Sequence, residues 1–169
     1  MTALKLLDKY LEEVSCVLIF ITMTALTFFQ VLSRFVLNYS LSWSEELARY
    51  CFVWLVYLAA SMAIKHRKHI RVQVAEIFLP VKAAAWLGLI SDGIWLFLTA
   101  VMTVQGQKVA AMILSHGQTS PAVGLTMGYV YAAIPIGFAL MSFRLVQQLI
   151  IRIKEIKSGD FEERKIAID

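Results

Sequence analysis

Asp92 is the residue in this chain best placed to do chemistry, a carboxylate inside a long apolar run that begins near Ala83. It lies nine residues, or roughly 14 Å of helix, past the start of that run. Ionisable groups at such depth are costly and mark ion or proton pathways, so a proton or cation coupling site is one reading. The other is a buried carboxylate hydrogen-bonded to neighbouring helices, with Ser91 and Gly93 beside it. No second acidic or basic group falls in the middle of another predicted span, which is thin material for a relay. His66 and His69 are spaced for one helical face, yet a metal site normally needs four ligands and no Cys or carboxylate cluster accompanies them. Their neighbours Lys65, Arg67, Lys68 and Arg71 oppose a dication and instead predict a basic segment against anionic lipid headgroups. No predicted span contains a histidine for a haem iron. No phosphate-binding loop, hydrolase nucleophile or zinc motif is present. The residues therefore predict no enzyme, no cofactor and no resident metal.

These few polar groups must be positioned by apolar helices. The 169 residues are 59% hydrophobic and 17% charged, against about 45–50% apolar and a quarter charged in soluble domains. That balance excludes disorder, and the net charge of +4 does not indicate nucleic acid, because the basic residues sit between apolar runs rather than on one polar face. A bilayer core about 30 Å thick takes about 20 helical residues. Four spans meet this, at about 14–36, 43–64, 83–107 and 125–145, and the fold class is an all-α polytopic membrane protein. Thirteen of the sixteen Lys and Arg residues fall on the side shared by the termini and the second loop, which predicts both termini in the cytoplasm. Leu4, Leu7, Leu11 and Val14 form one apolar stripe, fitting either an amphipathic helix in the cytoplasmic interface or a plain extension of span one. Residues 1–158 read as one four-helix membrane domain and 159–169 as a mobile cytoplasmic tail. The first span lacks a small-residue cleavage site and reads as a retained helix. Cys16 and Cys51 are expected at different depths and unlinked.

The most unusual stretch runs from Leu41 to Leu55. Ser42-Trp43-Ser44-Glu45 reads as a capping box, Glu45 and Glu46 favour the positive end of the helix, and Arg49 is spaced to pair with either. Trp43 fits an interfacial belt, and a polar rim around an aromatic anchor is how subunit contacts are often built. Gly124 and Gly128 have the spacing that lets helices approach closely, and Pro135 and Gly137 follow in the same predicted span.

At these residues the chain resembles the small membrane subunit, the DctQ family, of tripartite ATP-independent periplasmic (TRAP) transporters. Three blocks carry the likeness. The first runs from Ser33-Arg34-Phe35 through Ser42-Trp43-Ser44-Glu45-Glu46-Leu47-Ala48-Arg49-Tyr50 to Phe52-Val53-Trp54-Leu55. The second is His69-Ile70-Arg71-Val72 with Pro80, and the third is Gly117-Gln118-Thr119-Ser120-Pro121-Ala122, Met127-Gly128-Tyr129 and Ala133-Ile134-Pro135-Ile136-Gly137. The resemblance implies a non-catalytic scaffold in the bacterial inner membrane that forms a heterodimer with a large permease subunit. That larger subunit would bind sodium and move an organic acid delivered by a periplasmic binding protein, which meets the assembly transiently on its external face. Trp43, Glu45, Glu46, Arg49 and Trp54 would then serve the subunit interface or its structure. Two other classes stay open at this point: a small autonomous exporter using Asp92, and the membrane anchor of a redox enzyme.

Overall fold

The computed structural model describes residues 2–65 and 81–158. They form α1 (Thr2–Val36), α2 (Ser42–Lys65), α3 (Val81–Ser115), the short α4 (Met127–Tyr131) and α5 (Ala133–Ser158). Within them, Glu12–Val36, Ser42–Ile64, Trp86–Ser115 and Met127–Lys154 are long and apolar enough to cross a membrane. The expected all-helical architecture with four spans is therefore present. The basic segment from His66 to Arg71 and the tail at 159–169 lie outside the described residues, and Lys65 ends α2.

One open alternative is decided and two boundaries differ from expectation, each for a physical reason. Residues 2–13 continue span one in an unbroken helix, so the apolar stripe is an extension of α1 and not a separate element. α3 runs on to Ser115, past 107, because the lone Lys108 does not interrupt backbone hydrogen bonding and its exposed side chain stays on the surface. α5 passes 145 and reaches Ser158, because the arginines that seem to end the apolar run are paired in the interior.

The helices stand in a row. α1 packs on α2, α2 on α5, and α5 on α3, while α4 touches α3, α5 and α2. Among the described residues α1 and α3 do not meet, so the row is open and these helices are its two edges. Its apolar centre lies between α2 and α5, where Ile64, Met141 and Leu145 pack with Tyr57, Ala60, Leu96 and Phe138. The Tyr57 and Phe138 rings meet edge-on at 5.6 Å. Large apolar side chains cover much of the outside, including Phe28, Phe35, Ile94 and Phe97. Such a surface is inside out by the standards of a soluble domain and fits a hydrocarbon solvent.

Small residues set how closely the helices approach. A Cβ at Gly137 would stand 2.5 Å from Tyr57 Cβ, one at Gly106 3.3 Å from Pro135 N, and one at Gly128 3.2 Å from Leu114 Cα. Gly137 and Gly128 thus stand where neighbouring chain comes close. Gly124 does not. It lies in the loop before α4 with φ +71, a left-handed conformation that glycine adopts without steric cost, so the Gly124–Gly128 spacing is not a helix-packing motif. Pro135 is the third residue of α5, where a missing N–H costs little, and a break at Ala132 precedes it. Replacing Gly137 with Val should lower stability by about 1–3 kcal/mol through overpacking against Tyr57, read as a lower melting temperature in detergent. Gly93→Ala, which meets nothing within 4 Å, should leave that temperature unchanged or slightly raised.

Candidate functional site

Polar side chains gather at the two ends of the row. At the end that carries the termini, Arg144 of α5 reaches past α2 to Glu12 of α1, its Nε donating to Glu12 Oε1 at 2.9 Å. Ser61 of α2 donates to the same oxygen at 3.2 Å, and Arg144 Nη1 donates to Gln147 Oε1 at 2.8 Å. The side chains of Arg144 and Glu12 are only 7% and 3% exposed. One carboxylate thus ties three helices together. Removing one member of such a buried pair leaves an uncompensated charge, at about 3–5 kcal/mol.

Asp92 is bound in the same manner. Its Oδ2 lies 3.0 Å from Nε of Arg152, with both side chains nearly buried, which joins α3 to α5. Gly88 lies one turn before Asp92 and makes the room, since a Cβ there would overlap the Arg152 guanidinium. The expectation that Asp92 lacks a charged partner in another span is therefore wrong, because span four extends to Lys154 and brings Arg152 with it. Of its two readings, the buried and partnered carboxylate is the one this geometry favours. Nearer mid-height, the Ser142 and Thr99 hydroxyls stand 3.0 Å apart and add a neutral link between α5 and α3. Sequence reasoning missed Glu12, Ser61, Arg144, Arg152 and Gly88. A signal existed: Arg144, Gln147, Gln148 and Arg152 recur at helical spacing and draw a polar stripe down an apolar helix.

At the opposite end, the Leu41–Leu55 block divides by helical face. Glu46 points inward, accepting the Tyr50 hydroxyl at 2.6 Å and the Ala122 amide at 3.0 Å. Ala122 belongs to the 116–126 loop, folded on itself by Ser120 N–H to Leu125 O at 2.8 Å and Met127 N–H to Gln118 O at 2.8 Å. Buried Tyr50 also lies 3.3 Å from Met127 Sδ. Glu46 is therefore an internal clasp between α2 and this loop. Glu45 points outward, accepting from Arg49 at 3.3 Å and from Gln30 of α1 at 3.2 Å. It does not close the expected capping box, and the Ser44 hydroxyl instead donates to Leu41 O at 3.0 Å. Trp43, exposed, leans on Phe29 with ring centres 6.5 Å apart, and Trp54 is half-buried. Asn38 ends α1 in the left-handed region with φ 51, and the amides of Leu37 and Tyr39 both donate to Ser33 O. Both cysteines are free thiols. Among the described residues no three His, Cys, Asp or Glu side chains converge as a metal set.

Arg144→Met should destabilise the chain by about 3–5 kcal/mol in detergent unfolding, because Glu12 stays buried without its cation. The double variant Glu12→Met with Arg144→Met should recover most of that loss, since an apolar pair replaces the ion pair. Additive losses in the double variant would show that the bridge is not the source.

Comparison with known proteins places this geometry in a family. Residues 23–155 match the family described as "Tripartite ATP-independent periplasmic transporters, DctQ component". The chain is 31% identical over 148 residues to a putative TRAP transporter small permease protein of Haemophilus influenzae, covering 88% of this chain and 91% of that one. It is 37% identical over 118 residues, 70% of its length, to the isethionate TRAP transporter permease protein DctMQ of Oleidesulfovibrio alaskensis, and spans only 19% of that longer protein. It is also 29% identical over 161 residues to the sialic acid TRAP transporter permease protein SiaT of Haemophilus influenzae, matching 92% of this chain and 25% of that one. The family match takes in most of span one and the whole of the other three, with both faces of the Leu41–Leu55 block, and this chain belongs to the DctQ family of TRAP transporter small permease subunits, a transporter component and not an enzyme.

Proposed function

We propose that this chain is the static scaffold subunit of a TRAP transporter, forming a heterodimer with a large permease subunit in the bacterial inner membrane. The large subunit binds sodium and moves the solute, an organic acid brought by a periplasmic binding protein that docks transiently on the external face. The observation that carries this reading is the pairing of Asp92 with Arg152. The carboxylate that a small autonomous exporter would need is engaged in holding two helices together. The buried Glu12–Ser61–Arg144 cluster acts in the same sense, favouring a rigid body over a moving one. Membership of a transporter family removes the redox-anchor reading. Two relatives in which the matched region is a minor part of a longer permease protein support the partner, since there the remainder of the permease is covalently attached.

In this reading residues 1–158 are the membrane domain and 159–169 a cytoplasmic tail. The excess of Lys and Arg on the termini side puts that end in the cytoplasm, with the basic residues Lys65–Arg71 against inner-leaflet lipid. The loop clasped by Glu46 then faces the periplasm. The names isethionate and sialic acid attached to two relatives indicate that the solute is chosen elsewhere in the assembly.

Two experiments test this. In proteoliposomes, the large subunit together with this chain and the binding protein should take up solute on an inward sodium gradient, while this chain alone should take up none. Asp92→Asn should lower stability yet leave the sodium-to-solute ratio unchanged; a changed ratio, or uptake by this chain alone, would restore the exporter reading. For orientation, an impermeant maleimide should label Thr119→Cys in spheroplasts and Ser158→Cys only after permeabilisation, in a background lacking Cys16 and Cys51. The reverse pattern would invert the topology.

A further inference from the structure

The outward half of the Leu41–Leu55 block has an unfinished hydrogen-bond set. Arg49 sits seven residues, or roughly 10 Å, down α2 from Ser42, on a helix that crosses the membrane. Its side chain and that of Glu45 are 68% and 56% exposed. Only Nη2 of the guanidinium is engaged, by Glu45, and among the described residues the other donors meet no acceptor. Gln30 of α1 completes the cluster from below, and Phe29 and Trp43 flank it with exposed rings. Charged and amide groups on a membrane helix almost always face protein or a water-filled cavity, because hydrocarbon offers them no partner. The exposed surface of α1 and α2 beside them is otherwise largely apolar, with Phe28, Phe29, Val31 and Phe52, and Arg34 one turn along α1 is the other exposed charge.

We infer that the face of the α1–α2 hairpin bearing Gln30, Glu45 and Arg49 is where the large permease subunit docks, with a neutral acceptor of that subunit, a backbone carbonyl or a side-chain amide oxygen, accepting from the free donors of Arg49. This deepens the scaffold reading above and rests on it. Three features favour a protein partner over a lipid headgroup. Glu45 already neutralises Arg49, and a carboxylate within 3.3 Å opposes a phosphate at the same guanidinium. Gln30, a neutral amide about 9 Å of helix below the end of α1, lies deeper than a headgroup normally reaches. Exposed aromatics such as the Phe29–Trp43 pair, with an arginine on the same hairpin, are residue types enriched in subunit contacts. The same helix thereby serves two purposes one residue apart: Glu46 closes the chain on itself and Glu45 presents it to its neighbour.

The test places a photo-crosslinking benzoylphenylalanine at Phe29 in the chain co-expressed with its large permease subunit, and a second at Phe97 on the α3 edge as the control. Phe29 should yield a covalent adduct with the large subunit. Arg49→Gln should reduce that adduct about tenfold, and Arg49→Lys, which keeps the charge, should reduce it less. Unaltered amounts of each variant in the membrane show that the chain still folds. An adduct from Phe97 alone, or one from Phe29 that ignores Arg49→Gln, overturns the docking face while pairing itself stands. An adduct from Phe29 with phospholipid alone overturns it in favour of a headgroup site. No adduct at either position, with the two subunits separating on purification, removes the scaffold reading along with it.

Discussion

A membrane gives apolar helices little reason to choose one another, because lipid tails are as good a surrounding as leucine. The Glu12–Arg144 bridge supplies a reason. Glu12 has no acceptable environment in hydrocarbon except against Arg144 and Ser61, and Arg144 must cross the width of α2 to reach it. The observed order and register of α1, α2 and α5 satisfies all three groups at once. The second buried pair, Asp92 with Arg152, repeats the constraint for α3. A row of four helices has no shared interior to enforce its own geometry, so these two bridges, both rooted on α5, specify the arrangement that apolar packing then fills.

Close packing refines what the charges select. Gly88 opens the path along which Arg152 reaches Asp92, and Gly137 brings α5 against Tyr57 so that the small core around Leu145 can close. At the other end the clasp of Glu46 on the Ala122 amide anchors a loop whose turns at Gly117 and Gly124 take left-handed backbone angles. Charge at one end, small residues and hydroxyls along the middle, and a clasped loop at the other together link the four spans. Each of these interactions satisfies polar groups internally, which is what a bilayer demands of any buried donor or acceptor.

Much of this was legible in the sequence, and the rest was hidden for definite reasons. Four spans follow from apolar length, and the Leu41–Leu55 block stood out because two carboxylates, an arginine and a tryptophan rarely share a membrane edge. What hydropathy misjudged was charge that is paired. It ends the fourth span beside Arg144 and begins the first after Glu12, since a residue scale takes no account of a partner 132 positions away. Gly124 and Gly128 have the right spacing, yet a positive φ puts the first outside any helix. Likewise, Glu45 and Glu46 are equivalent on a charge count, and only the helical turn between them sends one inward and the other outward.

The unbroken α1 has a mechanical consequence. Its 35 residues measure roughly 52 Å, well beyond a hydrocarbon core of about 30 Å. The ten residues before Glu12 therefore stand as a mast of roughly 15 Å beyond the apolar zone, stepped at its foot by the Arg144 bridge. A mast fixed at its foot keeps its bearing. Whatever meets the amino terminus, a neighbouring subunit or a fused domain, would be held at a set height and direction relative to the four spans, like an instrument on a boom rather than a float on a line.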